Sequence, residues 1–522
     1  MSGYVVPLWE NKTAPCGGLN GCPANTDIAA ALHALSRNEP GKAWRIMMDS
    51  HPLRGVLGRV CYGFCETPCN RGKFDQAISI QMLESVIGDH GFDPSYRPAM
   101  AARNGKKVLI VGAGPAGLAA GWFLNLAGYK VDIHEADEKA GGVLRYGIPQ
   151  YRLPREALDR EIGLIEACGV EIKTGKKTTP ADVKKLLVNG YHAAIVATGA
   201  GNGRKAGITG EDKTLNGIEF LRAVNTGKTG PNHFTGKKVV VIGGGNVAMD
   251  ACRCATRLGA VSVNTLYRRT ENEMPAHANE VKQAREEGVV FEFLVAPESY
   301  DGKVLKSRKM RLSGDDESGR GKPVPTGEVI TTPADVVIMA IGQEPEKWEM
   351  TGVSNVFFAG DVLPDSRGTV IHSIAAGKKT AEGVHKLLSG ASMFAPSGEE
   401  VTYDKMNVKR YFVESARIRN RTAPAKKRIA GFEVIEQVVT LEEGILESNR
   451  CFRCGMCIGG LNSDCDWCFR ACGDKKGIEK AMVEWTPEGK LFSRGDDCDY
   501  CGRCWEDCPR YVVRPVEVEE VE

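Results

Sequence analysis

Toward its end the sequence reads CDYCGRCWEDCP, so that Cys498, Cys501, Cys504 and Cys508 stand as C-x2-C-x2-C-x3-C-P. Thiolates at this spacing place three ligands around one cubane [4Fe–4S] cluster and send the fourth to the other cluster of a pair. Tetrahedral zinc is the rival for clustered thiolates, but a run of three with a distant fourth before proline suits a cubane better. Just upstream, CFRCGMCIGGLNSDCDWCFRACG offers six cysteines for four positions. Read backwards, Cys472, Cys468 and Cys465 fit the C-x2-C-x3-C end, and Cys457 becomes the first ligand across a long gap. One cluster then takes Cys457, Cys465, Cys468 and Cys508, and the other takes Cys472, Cys498, Cys501 and Cys504. Cys451 and Cys454 are left over, and Gly473 stands where a proline usually follows. The alternative that Cys451, Cys454 and Cys457 hold one cluster stays open.

Two glycine-rich segments carry a different chemistry. VLIVGAGPAGLAAGWFLNLAGYKVDIHEA has Gly112, Gly114 and Gly117 as G-x-G-x-x-G, with Pro115 and Ala116 between them. The first glycine permits a tight turn, the second admits a pyrophosphate against the backbone, and the third lets helix and strand pack closely. The helix N-terminus then faces the phosphates with partial positive charge. Glu135 ends the next strand, where a carboxylate accepts from ribose hydroxyls. The second segment, VVVIGGGNVAMDACRCATRLGAVSVNTLYRRT, has Gly243, Gly245, Asn246 and Ala248 in G-x-G-x-x-A. Its second strand ends on Arg268 and Arg269 instead of an acid, which favours the 2′-phosphate of NADPH over NADH.

These residues need scaffolds. The chain has 522 residues, enough for several domains, with 42% hydrophobic and 26% charged residues and a net charge of +2. That charge implies no field able to recruit nucleic acid or an anionic membrane. The N-terminus MSGYVVPLWENKTAP lacks the pattern of a secretory signal, and no stretch is apolar for the roughly 18 residues that span a bilayer, so a cytoplasmic location is expected. Of the 18 cysteines, five lie between Cys16 and Cys69 and ten between Cys451 and Cys508, which suits cluster ligation in a reducing compartment. Cys168, Cys252 and Cys254 read as small buried hydrophobes. The text divides into residues 1–100 (helical, with the first cysteine block), 101–230 (first dinucleotide unit, opening on KKVLIVGAG), 231–330 (second unit, opening on KKVVVIGGG), 331–390 (buried strands, then a helix), 391–445 (a polar linker) and 446–522 (the second cysteine block).

GGVLRYGIPQYRLP at residues 141–154 resembles the signature of the glutamate synthase small (beta) subunit family, which is related to the flavin half of dihydropyrimidine dehydrogenase. The resemblance covers nearly the whole chain. It implies an α/β two-dinucleotide-binding, Rossmann-like flavoprotein core, an N-terminal α-helical iron–sulfur domain, and here a fused C-terminal ferredoxin-like α+β domain with two clusters. On this resemblance residues 101–230 and 331–390 are two parts of an FAD domain that flanks the NAD(P)H domain. FAD contacts carried over by it are Gly142, Leu144 and Arg145 of the signature, Ala197, Thr198 and Gly199 of ATG, Gly360 and Asp361 of AGD, and Thr369 ahead of a helix. Asp361 takes the ribitol. In the N-terminal block, CPANTDI and GRVCYGFCETPC resemble the family's cluster segments. They imply a cluster on Cys22, Cys61, Cys65 and Glu84, a carboxylate in place of a thiolate. If Glu84 were an ordinary exposed helix residue, Cys16 or Cys69 would complete that site instead. The family's other N-terminal cluster is expected to be absent, because only Cys16 and Cys69 remain and nothing upstream can replace two missing ligands.

The expected function is that of an NAD(P)H-dependent FAD/iron–sulfur oxidoreductase subunit, with about three [4Fe–4S] clusters. It would exchange electrons with a partner enzyme or ferredoxin in a hetero-oligomeric complex, in either direction. A flavin accepts hydride and releases single electrons, so no catalytic side chain is required. Partners of the 2-oxoacid oxidoreductase or sulfite-reductase type fit. The rival readings are the glutamate synthase small subunit itself and a structural subunit with a vestigial flavin.

Overall fold

The computed structural model describes residues 4–9, 11–316, 319–395, 398–409, 411–458, 465, 467–476, 483–485, 491–493 and 501–518. The chain forms two compact units. One comprises 94–393 and 420–437, and the other comprises 1–93, 394–419 and 438–522.

The first of these is built on two parallel sheets. KVLIV at Lys107–Val111 is apolar on both faces and almost wholly buried, which suits the centre of a parallel sheet. It lies between Ala193–Val196 and Lys130–His134, with Val356–Phe358 and Glu171–Lys173 at the edges. The helices Pro115–Leu126 and Val370–Ser389 pack together against it. The second sheet has the order Val290–Phe293, Ser262–Tyr267, Lys238–Ile242, Val336–Met339 and Leu215–Asn216. An antiparallel meander of Val295–Tyr300, Val304–Asp315 and Gly321–Pro333 follows it in the chain.

Two expected boundaries move. The buried strand text DVVIMAIG was read with the second FAD segment, yet Val336–Met339 pairs with Val239–Ile242 in the second sheet. The return to the first sheet is made only at Val356–Phe358. An apolar parallel strand carries no mark of which sheet it joins. Residues 391–445 are not an open linker either: 394–419 belong to one unit and 420–437 to the other. Arg428 there reaches Glu286 at 2.6 Å, and Ile435 lies in the core around Tyr151 and Phe234.

The other unit is helical around the first cysteine block. Helices Ile28–Ser36, Pro40–Met48, Arg54–Val60 and Ile80–His90 are joined by Leu441–Asn449 from far along the chain, which packs on Ile28–Ser36 and Ile80–His90. Helices Arg54–Val60 and Ile80–His90 approach through glycines: a Cβ on Gly58 would lie 2.3 Å from the Ser85 nitrogen, and one on Gly88 would lie 2.5 Å from the Gly55 Cα. Strand Tyr4–Trp9 pairs antiparallel with Val513–Val518, so the two ends of the described chain close one sheet. Among the described residues no helix is long and apolar enough to cross a membrane.

Candidate functional site

The central strand of the first sheet ends at Gly112, whose φ of +105° only glycine adopts freely, and whose Cβ would lie 2.4 Å from the Ala197 carbonyl oxygen. Helix Pro115–Leu126 starts immediately after, with Gly117 packed on the Gly112 carbonyl. Above this turn opens a pocket lined by Gly112, Gly114, Pro115, Ala116, Glu135, Gly142, Ala197, Thr198, Gly199 and Asp361, ten of the fifteen residues read as FAD contacts. The other five are not among its lining residues. Gly117 holds helix to strand. Leu144 is fully buried. Arg145 Nε donates to the Ala140 carbonyl at 2.6 Å and its guanidinium pairs with Asp159. Gly360 packs on Ala116, and Thr369 stands at the N-cap position of helix Val370–Ser389, its hydroxyl hydrogen-bonded to His372 Nδ1 at 2.7 Å and not to the helix backbone.

The pocket is polar where a ribose or ribitol would need it. Glu135 accepts from the Ala113 amide at 2.7 Å and the Asp137 amide at 2.9 Å. Burial pushes its carboxyl up, while those amides pull it down. Asp361 accepts from Ser373 at 3.0 Å and from Ser366. Ser373, Tyr146, Trp348 and Arg222 also line the pocket, and sequence reading missed all four. Arg222 lies 4.4 Å from the Tyr146 ring and pairs with Asp137 at 2.7 Å. Ser373, Trp348 and Arg222 lie outside the motifs read for the flavin, and Tyr146 lies within the GGVLRYGIPQYRLP signature without having been singled out. Thr198 Oγ1 is buried against this pocket without a partner among the described residues. A Cβ on Gly114 would meet nothing closer than Gly142 at 4.0 Å, which leaves the approach for a pyrophosphate open. These residues fit FAD.

In the second sheet Gly243 has φ +142° and sits under the Ala340 carbonyl, while Gly245 caps helix Asn246–Arg257 in extended backbone. Ala248 is buried under the turn, and Asn246 Oδ1 accepts from the His277 amide at 2.9 Å. The two arginines differ. Arg268 is exposed. Arg269 is buried, donates to the Gly321 carbonyl at 2.9 Å and pairs with Asp316. The antiparallel meander thus holds the Arg269 guanidinium, whereas Arg268, in the bend that follows strand Ser262–Tyr267, is exposed.

The signature loop ties the two nucleotide halves together. Arg152 bonds Asp250 at 2.9 Å and Glu280 at 3.0 Å, both beyond the second fingerprint. Tyr151 lies fully buried between the guanidiniums of Arg257 at 4.0 Å and Arg253 at 4.8 Å.

In the helical unit the cysteines gather in sets. The Cys65 thiol is pushed well up by burial, then by Cys61 and Cys22 beside it. Cys61 is pushed up by burial and next by Glu84. Glu84 is only 9% exposed, which disposes of the exposed-helix alternative. Its Oε1 accepts from Arg54 Nη1 at 2.9 Å, with His51 Nε2 3.7 Å away. Cys22, Cys61, Cys65 and Glu84 thus stand together. The Cys468 thiol is likewise pushed well up by burial, then by Cys508, Cys457, Cys465 and Cys504. Cys472 packs with Cys504 against Val513. Cys501 lies half-buried before helix Arg503–Glu506, and Cys498 lies outside the described residues. The leftover thiols are not scattered: Cys16, Cys69, Cys451 and Cys454 line one small buried cavity. Among the described residues no three His, Cys, Asp or Glu side chains close to the spacing a single metal ion needs.

A paired set of glycine turns, one opening on a pocket, in a chain that also carries a unit rich in gathered thiols defines an iron–sulfur flavoprotein oxidoreductase. Comparison with known proteins agrees: residues 106–379 match the pyridine nucleotide-disulphide oxidoreductase family, and residues 10–95 match dihydropyrimidine dehydrogenase domain II, a 4Fe-4S cluster domain. The chain belongs to the pyridine nucleotide-disulphide oxidoreductase family. It is similar to the beta subunit of the NADP(+)-dependent formate dehydrogenase of Moorella thermoacetica, 35% identical over 503 residues, covering 85% of this chain and 70% of that one. The NADPH-Fe(3+) oxidoreductase beta subunit of Geobacter sulfurreducens is 40% identical over 358 residues, covering 65% and 52%. The NADPH glutamate synthase small chain of Azospirillum brasilense is 31% identical over 408 residues, covering 70% and 84%. The chain thus spans about half the length of the second of these relatives.

Proposed function

We propose that this chain is the NADPH-linked electron-transfer subunit of a hetero-oligomeric oxidoreductase, working in the cytoplasm. The observation that carries the reading is the presence, in one chain, of a flavin pocket, a second dinucleotide turn and gathered thiol sets outside the pocket. Bound FAD supplies the conversion between a two-electron hydride and single electrons. The chain's own residues supply placement: the Gly112–Gly117 turn seats the pyrophosphate, Glu135 and Asp361 hold ribose and ribitol, and Arg222 with Asp137 borders the same pocket. Arg268, free of the meander that holds Arg269, meets the 2′-phosphate.

The partner is a second protein that donates or accepts one electron at a time, such as a formate or metal-reducing subunit of the kind the relatives' names describe. The glutamate synthase small-chain reading is weaker, since that relative matches 70% of this chain at 31% identity, against 85% at 35% for the formate dehydrogenase beta subunit. Anaerobic purification of the native complex, with identification of its subunits and NADPH- against NADH-driven dye reduction, tests the proposal. Dye reduction by NADPH and a copurifying redox subunit are expected. A preparation without bound flavin, or one indifferent to both nucleotides, overturns it.

A further inference from the structure

The four cysteines that neither nucleotide turn nor paired cluster motif absorbs are far apart in sequence. Cys16 and Cys69 belong to the first cysteine block, and Cys451 and Cys454 open the second. In the structure they line one cavity, walled mainly by apolar residues such as Ile28, Leu32, Ile78 and Phe452, with Asn70 and Arg71 also in the lining. Cys16, Cys451 and Cys454 are buried, and Cys69 is partly buried. We propose that Cys16, Cys69, Cys451 and Cys454 ligate a further [4Fe–4S] cluster, assembled from both ends of the chain.

The geometry supports four thiolates held for ligation. Four thiols converge on one cavity from the two cysteine blocks, which matches the ligand count of a cubane cluster. Coordination to iron would deprotonate them. Donors to sulfur are already in place: Asn70 Nδ2 lies 3.5 Å from Cys454 Sγ, and the Arg453 amide lies 3.4 Å from Cys451 Sγ. Hydrogen bonds to sulfur are a recognised lever on cluster potential.

The segment bearing Cys451 and Cys454 is anchored to the first cysteine block. Arg71 Nη1 donates to the Arg450 carbonyl at 2.9 Å, and Arg453 Nη2 to Ser36 Oγ at 2.6 Å. Phe452 packs edge-on to Phe74 with centroids 5.7 Å apart and lies 4.9 Å from the Arg71 guanidinium. The Lys12 amide donates to the Gly455 carbonyl at 2.7 Å. Cys457, two residues further, instead neighbours Cys468. The expected absence of a second N-terminal cluster looked for missing ligands only upstream of Cys16, whereas the fold delivers two thiols from downstream.

This inference rests on the iron–sulfur reading of the unit, and the test separates the two. Native mass spectrometry of the anaerobically purified full chain counts clusters, each adding about 350 Da. Four clusters are expected, and Cys451→Ser/Cys454→Ser should lose one while keeping bound FAD. Cys22→Ser should lose a different one, and Cys252→Ser, in the nucleotide unit, none. An unchanged count in the Cys451/Cys454 double variant overturns the inference while leaving the other clusters standing. Should that variant fail to fold, the wild-type count decides: four supports the site, and three or fewer refutes it. A wild-type chain with no cluster at all refutes the iron–sulfur reading itself.

Discussion

At the scale of single residues, the two nucleotide turns make separable claims. Gly114 has φ −78°, which any residue adopts, and open space where a Cβ would stand. Gly114→Val should therefore fold normally and lose flavin, with FAD affinity reduced at least about tenfold, or roughly 1.4 kcal/mol. Gly112→Val should instead lose the fold, because φ +105° and the Ala197 carbonyl both forbid it. Equal thermal stability of the two variants would contradict this account. Arg268→Ala should raise the KM for NADPH by about tenfold and leave that for NADH alone, since one charge-assisted phosphate contact is worth on the order of 1–2 kcal/mol. Arg269→Ala should lower stability instead, and a nucleotide-specific effect there would reverse the assignment. His134, buried at the end of its strand, has its pKa lowered to about 4 by burial and then by Lys176 and Lys173. An unfolded histidine titrates near 6.5. Between these values the unfolded chain binds a proton the folded chain refuses, so stability is complete above about pH 6.5 and falls as pH drops toward 4. The loss amounts to about 2–3 kcal/mol. His134→Asn should flatten that slope in the temperature at which FAD is released, and an unchanged slope would place the titration elsewhere.

At the scale of elements, the signature loop acts as a pin. Arg152 is buried with Asp250 and Glu280, and Asp250, pushed up to about 6 by burial, depends on that guanidinium to stay charged. Arg152→Met should cost about 3–5 kcal/mol, because it leaves the buried Asp250 carboxylate without its ion pair, while Glu280 keeps Arg253. Tyr151→Phe should cost less than about 1 kcal/mol, since its hydroxyl sits 3.4 Å from Asp250 and its ring contacts remain. Thermal unfolding of both variants measures the difference, and equal losses would mean the aromatic stack holds the loop. Here the limits of sequence reading are visible. GIPQYRLP marks the family, but its mechanical role needs the distance between Arg152 and Asp250, which are 98 residues apart. Gly112 and Gly243 were legible because a tight turn demands glycine locally. Glu84 was singled out through the family's spacing, and its burial follows from two helices closing on Gly58 and Gly88. Ser373, Trp348 and Arg222 were not legible, because a pocket wall assembled from separate segments leaves no local pattern.

At the scale of the whole molecule, both cysteine blocks belong to one unit, so the C-terminal residues act as structure for the N-terminal ones. Helix Leu441–Asn449 packs on Ile28–Ser36 and Ile80–His90, and fully buried Glu447 accepts from the Ser79 and Ile418 amides at 3.0 and 2.9 Å. Arg450 reaches Glu447 at 2.7 Å and Asp75 at 3.1 Å. Ending the chain after Gln437 would strip those partners and expose Ile28, Leu32 and Leu83, so the helices between residues 28 and 90 should lose protection from hydrogen exchange. The nucleotide unit, complete through Gln437, should keep its flavin. Ending it after Ile458 removes the paired cluster motif but keeps helix Leu441–Asn449, Cys451 and Cys454, so residues 28–90 should stay protected. The contrast follows from energetics: the first cut removes a helix face and a buried ion-pair network, and the second removes mainly the edge pairing of Tyr4–Trp9. Equal protection in the two truncations would mean that the first cysteine block folds by itself, and that its tie to the chain's far end is a contact without consequence.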